Sequence, residues 1–314
     1  MSTRKKVSLS EVNQSIETPN NNHFWQNLRA FLGPGALVAV GYMDPGNWIT
    51  SVVGGASYKY TLLFVILVSS LIAMQLQQMS GKLGIVTRMD LAQATAHHAP
   101  KWLRHILWVI VELALMATDL AEVLGSAIAL NLLFGIPIMG AIFITVLDVF
   151  LLLGIMKMGF KKIEAIVSTL IFTILLIFVY LVALADPSIS GIFQGFLPTA
   201  QLFDKTAPGH ESILTLALGI VGATVMPHNL YLHSSLSQTR KVDYNDPNDI
   251  RKAVLFMTWD SNIQLSLAFI VNSLLLILGA ALFFGHASEI SAFSQMCNAL
   301  QDSKIAGAVA SSTL

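Results

Sequence analysis

The chain is written in apolar blocks too long and too uniform for a helix in water. Leu62 to Ser70, Ile166 to Leu184 and Leu265 to Phe284 lack the polar face that a soluble helix turns to solvent. Such blocks fit helices that cross a lipid bilayer. A membrane β-barrel would alternate apolar and polar residues with period two, and that pattern is absent. Composition agrees: 54% of the 314 residues are hydrophobic and 11% are charged, against about 25% charged in soluble domains.

A spanning helix needs about 20 residues, which yields seven candidates: roughly Phe31 to Val53, Leu62 to Met79, Leu103 to Leu133, Ile138 to Ile155, Ile163 to Ala185, Ile213 to Leu236 and Ala253 to Phe284. The expected class is therefore an all-α integral membrane bundle. Basic residues set its orientation. Of the 18 Lys and Arg residues, all but Lys59, Lys205 and Lys304 fall in one alternating set of loops. That set includes the amino terminus, which is expected in the cytoplasm of a multi-pass cell-membrane protein. Met1 to Asn22 is polar and lacks an apolar signal core. Residues 1–30 read as a mobile cytoplasmic tail and residues 31–314 as the transmembrane domain.

The charge balance is zero and Cys297 is the only cysteine. An intrachain disulfide, a cysteine metal cluster and a nucleic-acid partner are thereby disfavoured.

The first span contains Gly41-Tyr42-Met43-Asp44-Pro45-Gly46-Asn47-Trp48. An aspartate in mid-membrane is costly. Pro45 removes a backbone donor and clashes with the preceding turn, and Gly46 adds freedom. The helix should unwind there. Its freed carbonyls must then line a cavity or be buried in protein. The sixth span contains Gly222-Ala223-Thr224-Val225-Met226-Pro227-His228-Asn229, again with a central proline. Aligned, the two breaks share their proline and their asparagine. Interrupted spans at corresponding places in two halves point to a transporter binding site. The spacing of five spans predicts a first repeat at about 31–185 and the start of a second, inverted one at about 213–314. Pro45, Gly46 and Pro227 are the expected helix breakers.

Chemistry narrows the ligand. A methionine in an apolar span is ordinarily core filler. Beside a broken backbone and an aspartate, Met226 becomes a soft donor, which favours transition metals over Ca²⁺ and Mg²⁺. The expected metal set is the Asp44 carboxylate, the Asn47 amide oxygen, the Ala223 carbonyl and the Met226 sulfur. It suits Mn²⁺, Fe²⁺ or Co²⁺, with Cd²⁺ also compatible. On the third span Glu112, Asp119 and Glu122 are spaced by seven and three, which places them on one helix face. Acids there should face the bundle or a water path, and such a row suits a proton relay. His228 and His233, with ordinary pKa values near neutrality, extend it. The alternative is a set of buried hydrogen bonds tying helices together. Asp148 and Asp260 are ambiguous: one could pair with another span and the other could cap a helix.

The Asp44-Pro45-Gly46-Asn47 and Met226-Pro227-His228-Asn229 motifs resemble the signatures of the Nramp family of divalent metal transporters, most closely its bacterial manganese transporters. The resemblance runs from about Phe31 onward. It implies a leucine-transporter-like fold of two inverted five-helix repeats and metal/proton symport into the cytoplasm by alternating access. It assigns Asp44, Asn47, Ala223 and Met226 to the metal, and Glu112, Asp119, Glu122 and His228 to proton movement. Family members carry about eleven spans, so the second repeat is expected to be incomplete here and a span-ten glutamine to be missing. The remaining expectations are a bilayer, protons and a divalent ion as partners, no cofactor, a monomer, and no enzymatic activity. A sodium-coupled amino-acid or small-solute symporter of the same fold is the rival, opposed by the fixed charge of Asp44 and the thioether of Met226. A metalloenzyme is disfavoured because His228 and His233 are five apart with no glutamate between them.

Overall fold

The computed structural model describes residues 13–19, 23–156, 160–203 and 212–285. Twelve α-helices run through them. They are α1 (Phe24–Phe31), α2 (Pro34–Gly41), α3 (Pro45–Tyr58), α4 (Leu63–Thr87), α5 (Leu91–His98), α6 (Lys101–Phe134), α7 (Ile138–Met156), α8 (Phe160–Ala185), α9 (Ile189–Gly195), α10 (Ile213–Thr224), α11 (Pro227–Leu236) and α12 (Pro247–Phe283). Among the described residues, extended pairing is limited to one parallel bridge between Ile16 and Arg240. Cys297 and the stretch from Ile305 lie outside the described residues, as does the side chain of Asp148.

Each of the seven expected spans coincides with a helix or a broken pair of helices. By length and apolarity, Leu63–Thr87, Lys162–Ala185, Ile213–Thr239 and Pro247–Phe283 can each cross a membrane. Helices α6 and α7 meet at a 119° bend. They are better read as two crossings than as one bent span. The 34 residues of α6 reach ~50 Å at about 1.5 Å per residue, well beyond the ~30 Å hydrocarbon core. The turn between them has an evident cause: Gly135 ends α6 in the left-handed conformation (φ 66°) and Pro137 follows.

The prolines act differently from simple kinks. Pro45 and Pro227 each begin a new helix, with Asp44 and Met226 as the preceding caps. A proline costs nothing at the first helical position, where its missing N–H would have no intrahelical partner. The breaks are therefore helix restarts, and the unwound residues lie before each proline.

Helix α12 is the axis of the bundle. It packs on α2, α3, α4 and α8, and thus on both halves of the first broken span. The approach to α3 is backbone on backbone: a Cβ at Gly55 would strike Leu276, and one at Gly279 would strike Val52. Val52, Ala56, Val271, Leu275 and Leu278 fill the seam. On the far side, α6, α7 and α8 present many large apolar side chains outward, such as Trp108, Met116, Phe143 and Phe172. That surface suits lipid.

Residues 13–19, expected to be mobile, are bound instead. Gln14 and Ile16 donate their amides to the carbonyls of Gln238 and Thr239 at 3.0 and 3.1 Å, and the Lys241 amide donates to the Ile16 carbonyl at 2.8 Å. A short 3-10 turn over Ser237–Thr239 ends in extended backbone at Arg240, and the segment pairs there in a single parallel bridge. Helix α1, also within the expected tail, packs Phe31 against Phe256 of α12.

Candidate metal centre between two helix breaks

The local sequence builds the first break. Helix α2 ends at Gly41, and α3 starts at Pro45 with Asp44 as its cap. Asp44 Oδ1 accepts from the Asn47 amide at 3.0 Å, which fastens the carboxylate to the helix start. The Asn47 side chain donates to the same oxygen at 2.5 Å. It also donates to the Ala223 carbonyl at 2.8 Å, in the last turn of α10. Three of the four residues expected to hold metal are thus joined directly. The Asp44 and Ala223 oxygens both face the –NH2 of Asn47.

Met226, the fourth, caps α11 and is 6% exposed. It sits in the apolar cluster of Ala36, Ala39, Tyr42 and Ala73, with Met43 at the cluster's edge. Its thioether therefore belongs to the wall around the first break. Among the described residues no three His, Cys, Asp or Glu side chains gather into a metal cage. A metal here would take mixed ligands of carboxylate, amide, carbonyl and thioether. Such a set binds a transition ion without the closed shell of a structural site.

The freed backbone at the break is cared for by residues the sequence did not single out. Asn272 of α12, buried, donates to the Tyr42 carbonyl at 3.1 Å. The Tyr42 hydroxyl accepts from Gln77 of α4 at 3.1 Å. Gln77 in turn meets His233 Nδ1 at 3.0 Å. One chain of polar side chains therefore links the first break to α11. The available signal was polar residues within otherwise apolar spans, Gln77 and Asn272 among them.

The expected proton residues separate into groups. His228 lies within electrostatic reach of both Asp44 and Asp119. His233 does not join them; it is fully buried and bound to Gln77. On α6, Glu112, Asp119 and Glu122 are all exposed among the described residues, and Glu112 accepts from Trp108 at 3.0 Å.

At the amino-terminal end of the first span a second polar knot closes the bundle. Arg240 and Glu164, 1% and 2% exposed, form a two-pronged ion pair at 2.7 and 3.1 Å. Arg240 also donates to the carbonyls of Ala30, Phe31 and Leu32 at 3.3, 3.2 and 3.0 Å. These are carbonyls that the end of α1 leaves without helical partners. Asp260 is fully buried and accepts from the amides of Gly33 and Gly35 at 3.1 and 2.6 Å, capping α2. Its capping role is the one the sequence allowed. Arg240, counted among loop charges, is instead the largest fully buried side chain among the described residues.

Known proteins resemble this chain along nearly its whole length. The chain is 58% identical over 307 residues to the divalent metal cation transporter MntH of Lacticaseibacillus casei (strain BL23), covering 98% of this chain and 66% of that one. It is 54% identical over 308 residues to the protein of the same name from Staphylococcus aureus (strain JH9), covering 98% and 67%. Crystal structures of the Eremococcus coleocola manganese transporter superpose with a TM-score of 0.87 at 52% identity, over 94% of this chain and 60% of that one. The chain thus spans about two thirds of the length of the curated relatives it matches. These relatives are named as transporters, not enzymes, and the apolar helices make this a membrane protein with their all-helical, leucine-transporter-like fold. The family model described as natural resistance-associated macrophage protein-like matches residues 35–314, which takes in both proline-restarted spans, and the chain belongs to the Nramp family.

Proposed function

We propose that this chain carries the metal site of an importer of divalent transition metals, Mn²⁺ first and Fe²⁺ also, driven by proton symport. The observation that carries the reading is Asn47, which joins the Asp44 carboxylate on one break to the Ala223 carbonyl on the other. Two oxygen donors from separate half-helices meet there, with Met226 nearby. An ion between them would replace the Asn47 tie with a metal bridge between the breaks. Such a bridge supports a reading of alternating access about a mid-membrane site. The relatives are themselves named as divalent metal and manganese transporters.

Metal entry requires Asn47 to turn its amide, so that Oδ1 replaces –NH2 toward the ion. Asp44 and Asp119 both lie within electrostatic reach of His228. A proton lost when metal reaches Asp44 has an acceptor there, and Asp119 lies next along the path, with Glu112 and Glu122 on the same helix. The dense basic loops put the amino terminus in the cytoplasm of a cell-membrane protein.

The test is calorimetry with Mn²⁺ and with Ca²⁺ on the full-length protein and its Asp44→Ala variant. Mn²⁺ binding that is lost in the variant and not matched by Ca²⁺ supports the site. Equal binding of the two ions, or binding indifferent to Asp44, removes it.

A further inference from the structure

We propose that residues 13–19 are a latch that keeps the amino-terminal side of the first span shut by fastening the loop that carries Arg240. The proposal rests on the alternating-access reading for its meaning, but not for its test.

The latch is a continuous set of bonds across more than 200 positions of sequence. Gln14, Ile16 and Lys241 make the three backbone bonds already described. The Thr18 hydroxyl donates to the Lys241 carbonyl at 2.8 Å. Lys252, on the first turns of α12, donates to the Pro19 carbonyl at 2.7 Å. The Lys241–Glu17 ion pair, 2.7 Å long, is too exposed to add much. The hold is therefore made by five bonds onto backbone carbonyls, three from backbone amides and two from side chains, with residues on both sides of Arg240 as partners.

Arg240 is the point where this matters. Its backbone lies under the latch, while its guanidinium grips Glu164 and the last carbonyls of α1. Gly33 follows directly, at φ 144° and with its amide on Asp260. This hinge begins the first half of the broken span. If the first span swings to admit solvent from this end, the α1 carbonyls must leave Arg240, or Arg240 must leave Glu164. Both moves are resisted as long as 238–241 is pinned. The latch lies on the outside of the bundle, where residues 14, 15 and 17 are exposed. It can be released without unpacking any span. The structure thus places a removable segment over the one buried arginine that braces the hinge.

The experiment is hydrogen exchange on the metal-free full-length protein, comparing the native sequence with Ile16→Pro. The substitution deletes the N–H that bonds Thr239 and touches no spanning residue. Exchange at 238–241 should quicken about fivefold, the effect of losing one net hydrogen bond. Exchange at Gly33 and Gly35 should quicken with it. Thr18→Val, which removes only a hydroxyl donor, gives the same pattern more weakly and serves if the proline variant does not fold. Quickening at 238–241 alone overturns the proposal, because the segment would then not reach the hinge. No quickening at either place overturns it as well. Mn²⁺ calorimetry on the same variants separates this from the metal reading, since residues 13–19 do not touch Asp44, Asn47, Ala223 or Met226. Loss of Mn²⁺ binding in the native protein would end that reading and leave the exchange result intact.

Discussion

Asn47 Nδ2 donates to the Ala223 carbonyl across 2.8 Å, joining two helix breaks that lie 176 positions apart in the chain. The amide orientation is fixed by its two acceptors, a carbonyl and a carboxylate, which both require the –NH2 end. That nitrogen fills the point where a cation would be attracted. Asn47→Ala removes both the stand-in and the ligand. Mn²⁺ affinity should fall about tenfold or more, equivalent to roughly 1.4 kcal/mol, with helicity unchanged by circular dichroism. An unchanged affinity in calorimetry would show that the amide only ties the breaks together.

Met226 tests the soft half of the site. It is buried against α2, so Met226→Ala leaves a cavity and costs about 2–5 kcal/mol of stability wherever it acts as core. Stability therefore does not distinguish ligand from filler, but selectivity does. Loss of the thioether should weaken Mn²⁺ more than Ca²⁺, because sulfur favours the transition ion. Equal losses in competition binding would assign Met226 to packing alone.

Much of this was readable before any coordinates. The seven spans follow from apolar length, and the two breaks follow from proline with glycine or aspartate in a membrane helix. Asp44, Asn47 and Ala223 stood out in the sequence as metal donors at the paired breaks; the structure joins them by hydrogen bonds, while their holding of a metal is a proposal. Other features were hidden for a physical reason. Arg240 and Glu164 are 76 positions apart, and nothing local marks them as a pair. Arg240 looked like one more loop charge because the positive-inside pattern says which side a residue is on, not how deep it lies. Residues 13–19 carry no periodicity at all. Their order comes from backbone bonds to a partner segment, which composition does not encode.

Arg240 should behave as a braced buried charge. Arg240→Met leaves Glu164 buried without its guanidinium and the α1 carbonyls without a donor. A cost of about 3–5 kcal/mol is expected, seen as a lower Tm in detergent. Adding Glu164→Leu should recover part of it by removing the unpaired carboxylate. Full recovery would mean that the bonds to Ala30, Phe31 and Leu32 contribute nothing.

Gly33 is constrained twice. Its φ of 144° lies where side chains are rarely tolerated, and a Cβ would run into the Glu164 carboxylate. Gly33→Ala should destabilise the closed end by more than about 1 kcal/mol. Because the clash falls on the Arg240–Glu164 pair, hydrogen exchange at 30–35 should quicken along with the fall in Tm. A lower Tm without faster exchange there would place the strain elsewhere in the fold.

Asp119 decides whether the charge on α6 moves protons or only solvates a helix. It is exposed among the described residues, and yet it lies within electrostatic reach of His228, which in turn senses Asp44. Asp119→Asn keeps the shape and the hydrogen-bonding capacity while removing the titration. Metal uptake into vesicles should persist at a reduced rate, while acidification of the lumen on Mn²⁺ addition should fall several-fold. The readout is the ratio of proton to metal flux, measured with a pH dye and a metal dye in the same vesicles. A ratio unchanged from the native protein would remove Asp119 from the proton path and leave His228 to pass protons by another route. Glu112→Gln is the control on the same helix: it lies two turns away and bonds Trp108, so its effect on the ratio should be the smaller.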